Sequence, residues 1–168
     1  MQRHIILSGF MGSGKSTVGR ILSRRLSLPF HDVDDVIEKQ TGMKIMDIFS
    51  QHSEAYFREL ETRVLRDILA TPPSVIATGG GTLMEPENLT LSKQQGVLFY
   101  LSASAKTLHE RVRHSQHRPL VKKHSSLEAF ARLLEARIPF YKKCDYIIDA
   151  DNMSPDEVAT YIQEILTP

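Results

Sequence analysis

The sequence predicts a single α/β domain built around a parallel sheet. Short apolar runs alternate along all 168 residues with stretches whose apolar side chains recur at helical spacing. The runs are continuous rather than alternating, which is typical of strands in a parallel sheet that helices cover on both faces. No internal repeat or Pro/Gly/Ser-rich linker divides the chain. Strands that alternate with helices imply right-handed crossovers, and such sheets bind ligands beyond the carboxyl ends of their strands.

Five apolar runs are candidate strands, at residues 4–8, 28–30, 74–78, 97–101 and 146–148. Two helices are indicated by apolar residues on one face, the first by Val18, Ile21, Leu22 and Leu26 and the second by Phe57, Leu60, Val64, Leu65 and Ile68. A final helix is predicted from Ser154 to about Leu166. Its start carries an N-cap hydroxyl on Ser154, a proline at the first helical position and a capping-box glutamate, Glu157.

The composition narrows the range of partners. The 21 basic and 20 acidic side chains nearly cancel, so no global positive field attracts a nucleic acid or an anionic membrane, and we expect neither as a partner. Cys144 is the single cysteine, which excludes an intrachain disulfide framework and suits a reducing compartment. The first apolar run is too short for a signal peptide or a membrane span. We therefore expect a cytoplasmic location.

Residues 9–16, Gly-Phe-Met-Gly-Ser-Gly-Lys-Ser, match the phosphate-binding motif G-x-x-x-x-G-K-[ST]. The motif follows a predicted strand and opens a predicted helix, as its chemistry requires. Its glycines let successive backbone N–H groups and the helix N-terminus face a β-phosphate, while Lys15 can bridge the β- and γ-phosphates. Ser16 supplies a hydroxyl for Mg²⁺. The sequence thus predicts a nucleotide phosphate site that comprises Gly12, Ser13, Gly14, Lys15, Ser16 and Thr17.

A nucleotide site alone does not separate a kinase from a GTPase switch or an ATP-binding regulatory module. A GTPase should carry an Asn/Thr-Lys-x-Asp element for guanine in its second half, and no such tetrapeptide occurs here. The choice between a kinase and a module depends on the remaining polar residues.

Two carboxylates, Asp32 and Asp34, stand at alternate positions just past a short predicted strand, so both are expected to point toward its carboxyl end. One can serve magnesium and the other a substrate hydroxyl. Alternatively, acids at this point simply begin the next helix, because Asp is a common N-cap. Further on, residues 79–81 are three adjacent glycines after a strand, which suits a close approach of the backbone to a ligand, although a loose turn would also fit.

Arg58 lies on a predicted helix with Glu61 three residues later, a spacing that lets the acid hold the guanidinium group in place. An ordinary surface pair would have the same spacing. Residues 111–124 contain no acid but many bases, and Pro119 should interrupt any helix there. This stretch is interpreted as a mobile basic cover for phosphates, with a solvated loop as the alternative.

Together these segments resemble shikimate kinase. The resemblance rests on the phosphate-binding loop, Asp32 and Asp34, Arg58-x-x-Glu61, the Ala-Thr-Gly-Gly-Gly of residues 77–81, Arg118-Pro119-Leu120, and Arg137 in a Glu-Ala-Arg sequence. Their order and spacing agree across essentially the whole chain. The sequence departs from the family pattern at Ser53, where glycine is usual, and at Val121, where a second leucine is common.

The resemblance implies one P-loop kinase domain over residues 1–168, with the nucleoside-monophosphate-kinase fold, a substrate-binding section at 32–61 and a mobile lid at 112–124. It implies transfer of the γ-phosphate of ATP to the 3-hydroxyl of shikimate with the help of Mg²⁺, a step toward aromatic amino acids. We expect the protein to act as a monomer. The implied acceptor-binding residues are Arg58 and Arg137 for the carboxylate and Asp34, Gly80 and Gly81 for the ring hydroxyls. The implied nucleotide-binding residues are Arg111 on the adenine and Arg118 on the phosphates, with Ser16 and Asp32 on the metal ion.

Lys15, Asp34 and Arg118 are the expected catalytic residues, because phosphoryl transfer needs mainly alignment and charge neutralisation. Two alternatives remain at this stage: a gluconate-type sugar-acid kinase and a non-catalytic nucleotide-binding module. The presence of all three residues favours a catalyst over the module.

Overall fold

The computed structural model describes residues 3–113 and 126–167. Within these residues, five strands form one sheet in which every pairing is parallel, in the order β2-β3-β1-β4-β5. The strands are β1 His4–Ser8, β2 Phe30–Asp32, β3 Val75–Ala77, β4 Gly96–Ser102 and β5 Tyr146–Asp149. The predicted parallel α/β sheet is confirmed.

Helices cover both faces of this sheet. They are α1 Lys15–Leu26, α2 Val33–Thr41, α3 Ile45–Gln51, α4 Glu54–Leu69, α5 Pro86–Gln95, α6 Ala105–Val112, α7 Leu127–Tyr141 and α8 Pro155–Leu166, with a 3₁₀ turn at Thr82–Met84. Successive side chains of β1 enter different cores: Ile5 and Leu7 pack with α1 and α8, whereas Ile6 packs with α2 to α5. Burial on both faces explains why the strand is a continuous apolar run.

A third apolar cluster supports the functional edge of the sheet. It joins Phe10 and Met11, directly after β1, to residues of α6 and α7. The Phe10 ring meets the Phe130 ring edge to face, with centroids 5.0 Å apart. The loop after β1 is therefore anchored by buried side chains on the same helices that carry Arg111 and Arg137.

The second strand lies two residues later than the prediction of 28–30. Pro29 has no N–H to donate, and its carbonyl accepts from the Val75 N–H at 2.8 Å before regular pairing begins at Phe30. Asp32 therefore ends the strand itself. The expectation that Asp34 alternates with Asp32 along an extended chain is wrong, because α2 begins at Val33 and Asp34 lies in its first turn.

Helix starts follow the predicted chemistry. The capping box of Ser154 and Glu157 is formed at the start of α8, which ends at Leu166 as predicted. Ser53, one of the departures from the family pattern, is the N-cap of α4, where its hydroxyl accepts from the Tyr56 N–H at 3.2 Å.

Val121 and most of the predicted lid, including Arg118, lie outside the described residues. Among the helices of the two described ranges, none is long and apolar enough to cross a membrane.

Candidate active site

The phosphate-binding loop connects β1 to α1 and is shaped by close contacts. Gly12 has φ +82°, and a Cβ there would lie 2.8 Å from Val112 Cγ1 of α6, so both conformation and space require glycine. Lys15, the first residue of α1, is buried. Its Nζ donates to the carbonyl oxygens of Gly9 at 2.8 Å and Phe10 at 3.1 Å. These bonds hold the ammonium group at the loop that the motif predicts to cradle phosphates.

Ser16 and Asp32 meet beside this loop. The Ser16 hydroxyl donates to Asp32 Oδ2, while Asp32 Oδ1 accepts from the Asp34 N–H at 3.1 Å as the N-cap of α2. Asp32 can therefore be both a helix cap and a magnesium ligand, since one carboxylate oxygen caps α2 and the other faces Ser16. Burial, together with the negative charge of Asp32, raises the pKa of Asp35, so negative charge is concentrated here.

This hydroxyl and carboxylate fit Mg²⁺, which prefers oxygen ligands and usually retains water and substrate phosphate in its coordination shell. Across residues 3–113 and 126–167, no group of three or more His, Cys, Asp or Glu side chains could hold a metal ion. One hydroxyl and one carboxylate leave coordination positions for the water and phosphate oxygens that Mg²⁺ usually retains.

Arg58 and Glu61 form a buried ion pair on α4. Arg58 Nη1 donates to Glu61 Oε2 at 2.5 Å, and the Glu61 side chain is only 1% exposed. Thr82, just after the glycine triplet, donates its hydroxyl to the other Glu61 oxygen at 2.6 Å. Burial alone would lower the pKa of Arg58, but the charge and hydrogen bond of Glu61 raise it above its usual value. Glu61 thus fixes a permanently charged guanidinium group.

The glycine triplet lies between two arginines. A Cβ on Gly81 would be 2.6 Å from Arg58 Nη1, and a Cβ on Gly80 would be 3.1 Å from Arg137 Nη1. Arg137 is buried on α7, with its guanidinium over the Phe10 ring at 5.5 Å. The backbone can approach both guanidinium groups only because these positions lack side chains.

Asp34 joins this end of the site from the other side. A Cβ on Gly79 would lie 3.1 Å from Asp34 Oδ1. The carboxylate is therefore next to the glycine triplet, although it reaches that place from a helix rather than from a strand.

Arg111 lies at the opposite end, on α6. Its Nη1 donates to the Gly12 carbonyl at 3.2 Å. This contact places a guanidinium group at the phosphate-binding loop, in a cavity whose wall also includes Met153 and Pro155.

One cavity of about 870 Å³ contains these groups. The predicted site residues that line it are Gly12, Ser13, Gly14, Lys15, Ser16, Thr17, Asp32, Asp34, Arg58, Gly80, Gly81, Arg111 and Arg137. Every site residue predicted from the sequence is thus at this cavity except Arg118, which lies outside the described residues.

Sequence reasoning missed two kinds of contributor. Ile45 and Phe49 form, with Phe57, an apolar wall of the cavity, whereas the helical pattern assigned Phe57 to the core alone. Thr82 and Tyr141 contact site residues from behind. Their positions carry a signal, because Thr82 directly follows the glycines and Tyr141 follows Arg137 by one helical turn.

Comparisons with known proteins agree on one family. A family model described as shikimate kinase matches residues 11–167. A shikimate kinase from Thermodesulfovibrio yellowstonii is 42% identical over 160 residues, which cover 95% of this chain and 92% of the relative.

Two solved structures match over nearly their full lengths. Shikimate kinase from Acinetobacter baumannii in complex with shikimate has TM-score 0.94 and 33% identity, covering 99% of this chain and 93% of that chain. Shikimate kinase from Aquifex aeolicus has TM-score 0.86 and 40% identity, covering 97% and 95% respectively. With its parallel sheet and the cavity at its edge, this chain therefore belongs to the shikimate kinase family.

Proposed function

We propose that this protein transfers the γ-phosphate of ATP to the 3-hydroxyl of shikimate, giving ADP and shikimate 3-phosphate. The observation that carries the proposal is that one cavity combines a phosphate-binding loop with two arginines across a glycine triplet. The first feature suits a nucleoside triphosphate, and the second suits a carboxylated acceptor. A module that only binds nucleotide would have no use for the second feature.

On the donor side, Lys15 and the backbone N–H groups of residues 12–17 bind the phosphates. Arg111 stacks on the adenine, and Arg118 neutralises charge on the transferred group. Ser16 and Asp32 hold Mg²⁺, which when bound neutralises phosphate charge. The burial of Lys15 and the Ser16–Asp32 hydrogen bond support these assignments.

On the acceptor side, Arg58 and Arg137 grip the carboxylate and thereby place the ring. A planar guanidinium fork can bond two carboxylate oxygens at once, which favours arginine over lysine. Asp34 and the backbone of Gly80 and Gly81 bind the ring hydroxyls. In this proposal these contacts hold the 3-hydroxyl for attack on the γ-phosphorus.

In the reaction, the hydroxyl oxygen forms a bond to the γ-phosphorus as the bond to the bridging oxygen of ADP breaks. Asp34 orients the hydroxyl and can accept its proton. Alignment of the two substrates lowers the barrier, and positive charge from Lys15 and Arg118 stabilises the transition state.

We assign residues 32–61 to the substrate-binding section and 112–124 to a lid that closes over the phosphates, within one domain. We further propose that the protein acts as a monomer. The single cysteine supports a cytoplasmic location.

A coupled ADP-release assay tests the proposal, with shikimate, gluconate and no acceptor measured side by side. We expect ADP release to depend on shikimate and to be abolished in Lys15→Ala. A preference for gluconate would refute the choice of acceptor. ADP release that no acceptor stimulates would refute the reaction class.

A further inference from the structure

Tyr141, the last residue of α7, contacts the site without lining the cavity. Its side chain is buried, with 2% exposure. The hydroxyl donates to the Gly80 carbonyl oxygen at 2.5 Å. The ring stacks on Tyr100 of β4, with centroids 4.9 Å apart and an interplanar angle of 27°. The ring is thus held by the core, and the hydroxyl is held at the glycine triplet.

This hydrogen bond has a consequence on the far side of the peptide. The described residues contain no cis peptide, so the Gly80–Gly81 peptide is planar and trans, and its carbonyl and its N–H point in opposite directions. A bond that fixes the carbonyl toward Tyr141 therefore also fixes the direction of the Gly81 N–H. The same peptide joins Gly80 and Gly81, the two glycines at which an added Cβ would closely approach Arg137 and Arg58.

Arg137 and Tyr141 are one helical turn apart on α7 and meet at Gly80. A Cβ on Gly80 would be 3.1 Å from Arg137 Nη1 and 3.6 Å from the Tyr141 oxygen. Burial raises the pKa of the Tyr141 phenol well above its usual value, and the charge of Arg137 and its hydrogen bond to the phenol oxygen only partly oppose this. The hydroxyl therefore remains a hydrogen-bond donor throughout the neutral pH range.

We infer that Tyr141 is a positioning residue for the acceptor: its hydroxyl locks the Gly80–Gly81 peptide in the orientation that binds the ring, between the two arginines that bind the carboxylate. This inference rests on the proposed function, because it assumes that shikimate occupies this end of the cavity. A glycine triplet is intrinsically free in conformation. The carbonyls of Gly79 and Gly81 accept backbone hydrogen bonds from Thr82 and Met84, and the hydroxyl of Tyr141 holds the remaining carbonyl, that of Gly80. The bond from Tyr141 thus restricts the triplet further before the acceptor binds, which strengthens binding by lowering its ordering cost.

The competing explanation is that Tyr141 only fills the core. Phenylalanine at this position would keep the stacked ring and remove just the oxygen, so Tyr141→Phe separates the two roles. Tyr100→Phe is the matched control. Tyr100 is buried in the same stack, but its hydroxyl interacts with Ser102 of β4 instead of the glycine triplet.

Kinetics with each substrate varied separately give the discriminating measurement. For Tyr141→Phe we expect kcat/KM for shikimate to fall about tenfold, the effect of losing one well-formed buried hydrogen bond, while KM for ATP changes less than about twofold. For Tyr100→Phe we expect both quantities to stay within about twofold of wild type. Equal effects of the two substitutions, or an equal loss toward ATP and shikimate, would overturn the inference.

A measurement on the unmodified enzyme makes the test independent of how the variants fold. With ¹⁵N-labelled glycine, the Gly81 N–H should be rigid before shikimate is added, with an order parameter near about 0.85. An order parameter below about 0.6 in the free enzyme would overturn the inference. The same preparation reveals a failure of the proposed function separately, because wild-type enzyme would then show no shikimate-dependent ADP release.

Discussion

The strongest test of the acceptor site is replacement of Arg58, whose contacts permit an estimate of the effect. One edge of the guanidinium group is bonded to Glu61 at 2.5 Å, and a second nitrogen lies 3.4 Å from Glu54. Arg58→Lys keeps the charge but loses the planar fork, so lysine cannot bond Glu61 and grip a carboxylate in the same geometry. A charge-assisted hydrogen bond contributes about 1.5–3 kcal/mol. We therefore expect KM for shikimate to rise roughly 10- to 100-fold, with KM for ATP nearly unchanged.

Removal of the guanidinium group should also destabilise the fold. Arg58→Ala leaves the carboxylate of Glu61, 1% exposed, with the Thr82 hydroxyl but without its counter-charge. Breaking a buried pair costs about 3–5 kcal/mol, and we expect the lower end because the Arg58 side chain is 21% exposed. Glu54→Gln is the matched control, since Glu54 is 71% exposed and its pair with Arg58 should contribute less than about 1 kcal/mol.

Two assays check these values. Urea unfolding compares the free energies of unfolding of Arg58→Ala, Glu54→Gln and wild type. Steady-state kinetics compare shikimate with its neutral carboxamide. The amide should impair the wild-type enzyme far more than Arg58→Ala, because the variant has already lost the partner of the carboxylate. If both enzymes lose the same factor with the amide, Arg58 does not bind the acceptor carboxylate, and the assignment is refuted.

Three further predictions concern the phosphates, the acceptor hydroxyl and the lid. Lys15→Ala should abolish most turnover, because it removes the positive charge that binds the phosphates; a kcat equal to that of the wild type would contradict the donor site. Ser16→Ala should change the dependence of the rate on magnesium concentration. Asp34→Asn should lower kcat about 10²-fold or more with ATP affinity nearly unchanged, as measured by kinetics and titration. Asp32→Asn should instead weaken the use of magnesium. If Asp34→Asn loses ATP binding but keeps kcat, the two roles are reversed. Hydrogen exchange across residues 113–124 should slow when ADP and shikimate bind together, and unchanged exchange would exclude a lid.

Local signals in the sequence were sufficient for the fold class, for the approximate positions of the strands, for the helices α1, α4 and α8, and for the kind of chemistry. The apolar run of β1, the loop with Lys15 and the capping box at Ser154 each depend on residues close together in the chain, so their patterns can be recognised directly. The position predicted for β2 from its apolar residues was two residues too early, because a proline restricts the backbone at that point. Pro29 cannot donate a hydrogen bond, and β2 begins only at Phe30; it ends at Asp32, where the cap of α2 takes over.

The arrangement of the acceptor end was decided by tertiary structure. Arg58 and Arg137 are far apart in sequence, and their approach on either side of the glycine triplet follows from how α4 and α7 pack against the sheet edge. The supporting hydroxyls of Thr82 and Tyr141 also act across long separations, through Glu61 and Gly80. The sequence around either hydroxyl does not indicate its hydrogen-bond partner. Its role depends on which buried acceptor the fold brings within about 3 Å. The sequence by itself determined which groups this protein has for binding phosphate and carboxylate. Only the packed structure decided which other side chains hold those groups in place, because hydrogen bonds between distant residues depend on the path of the whole chain.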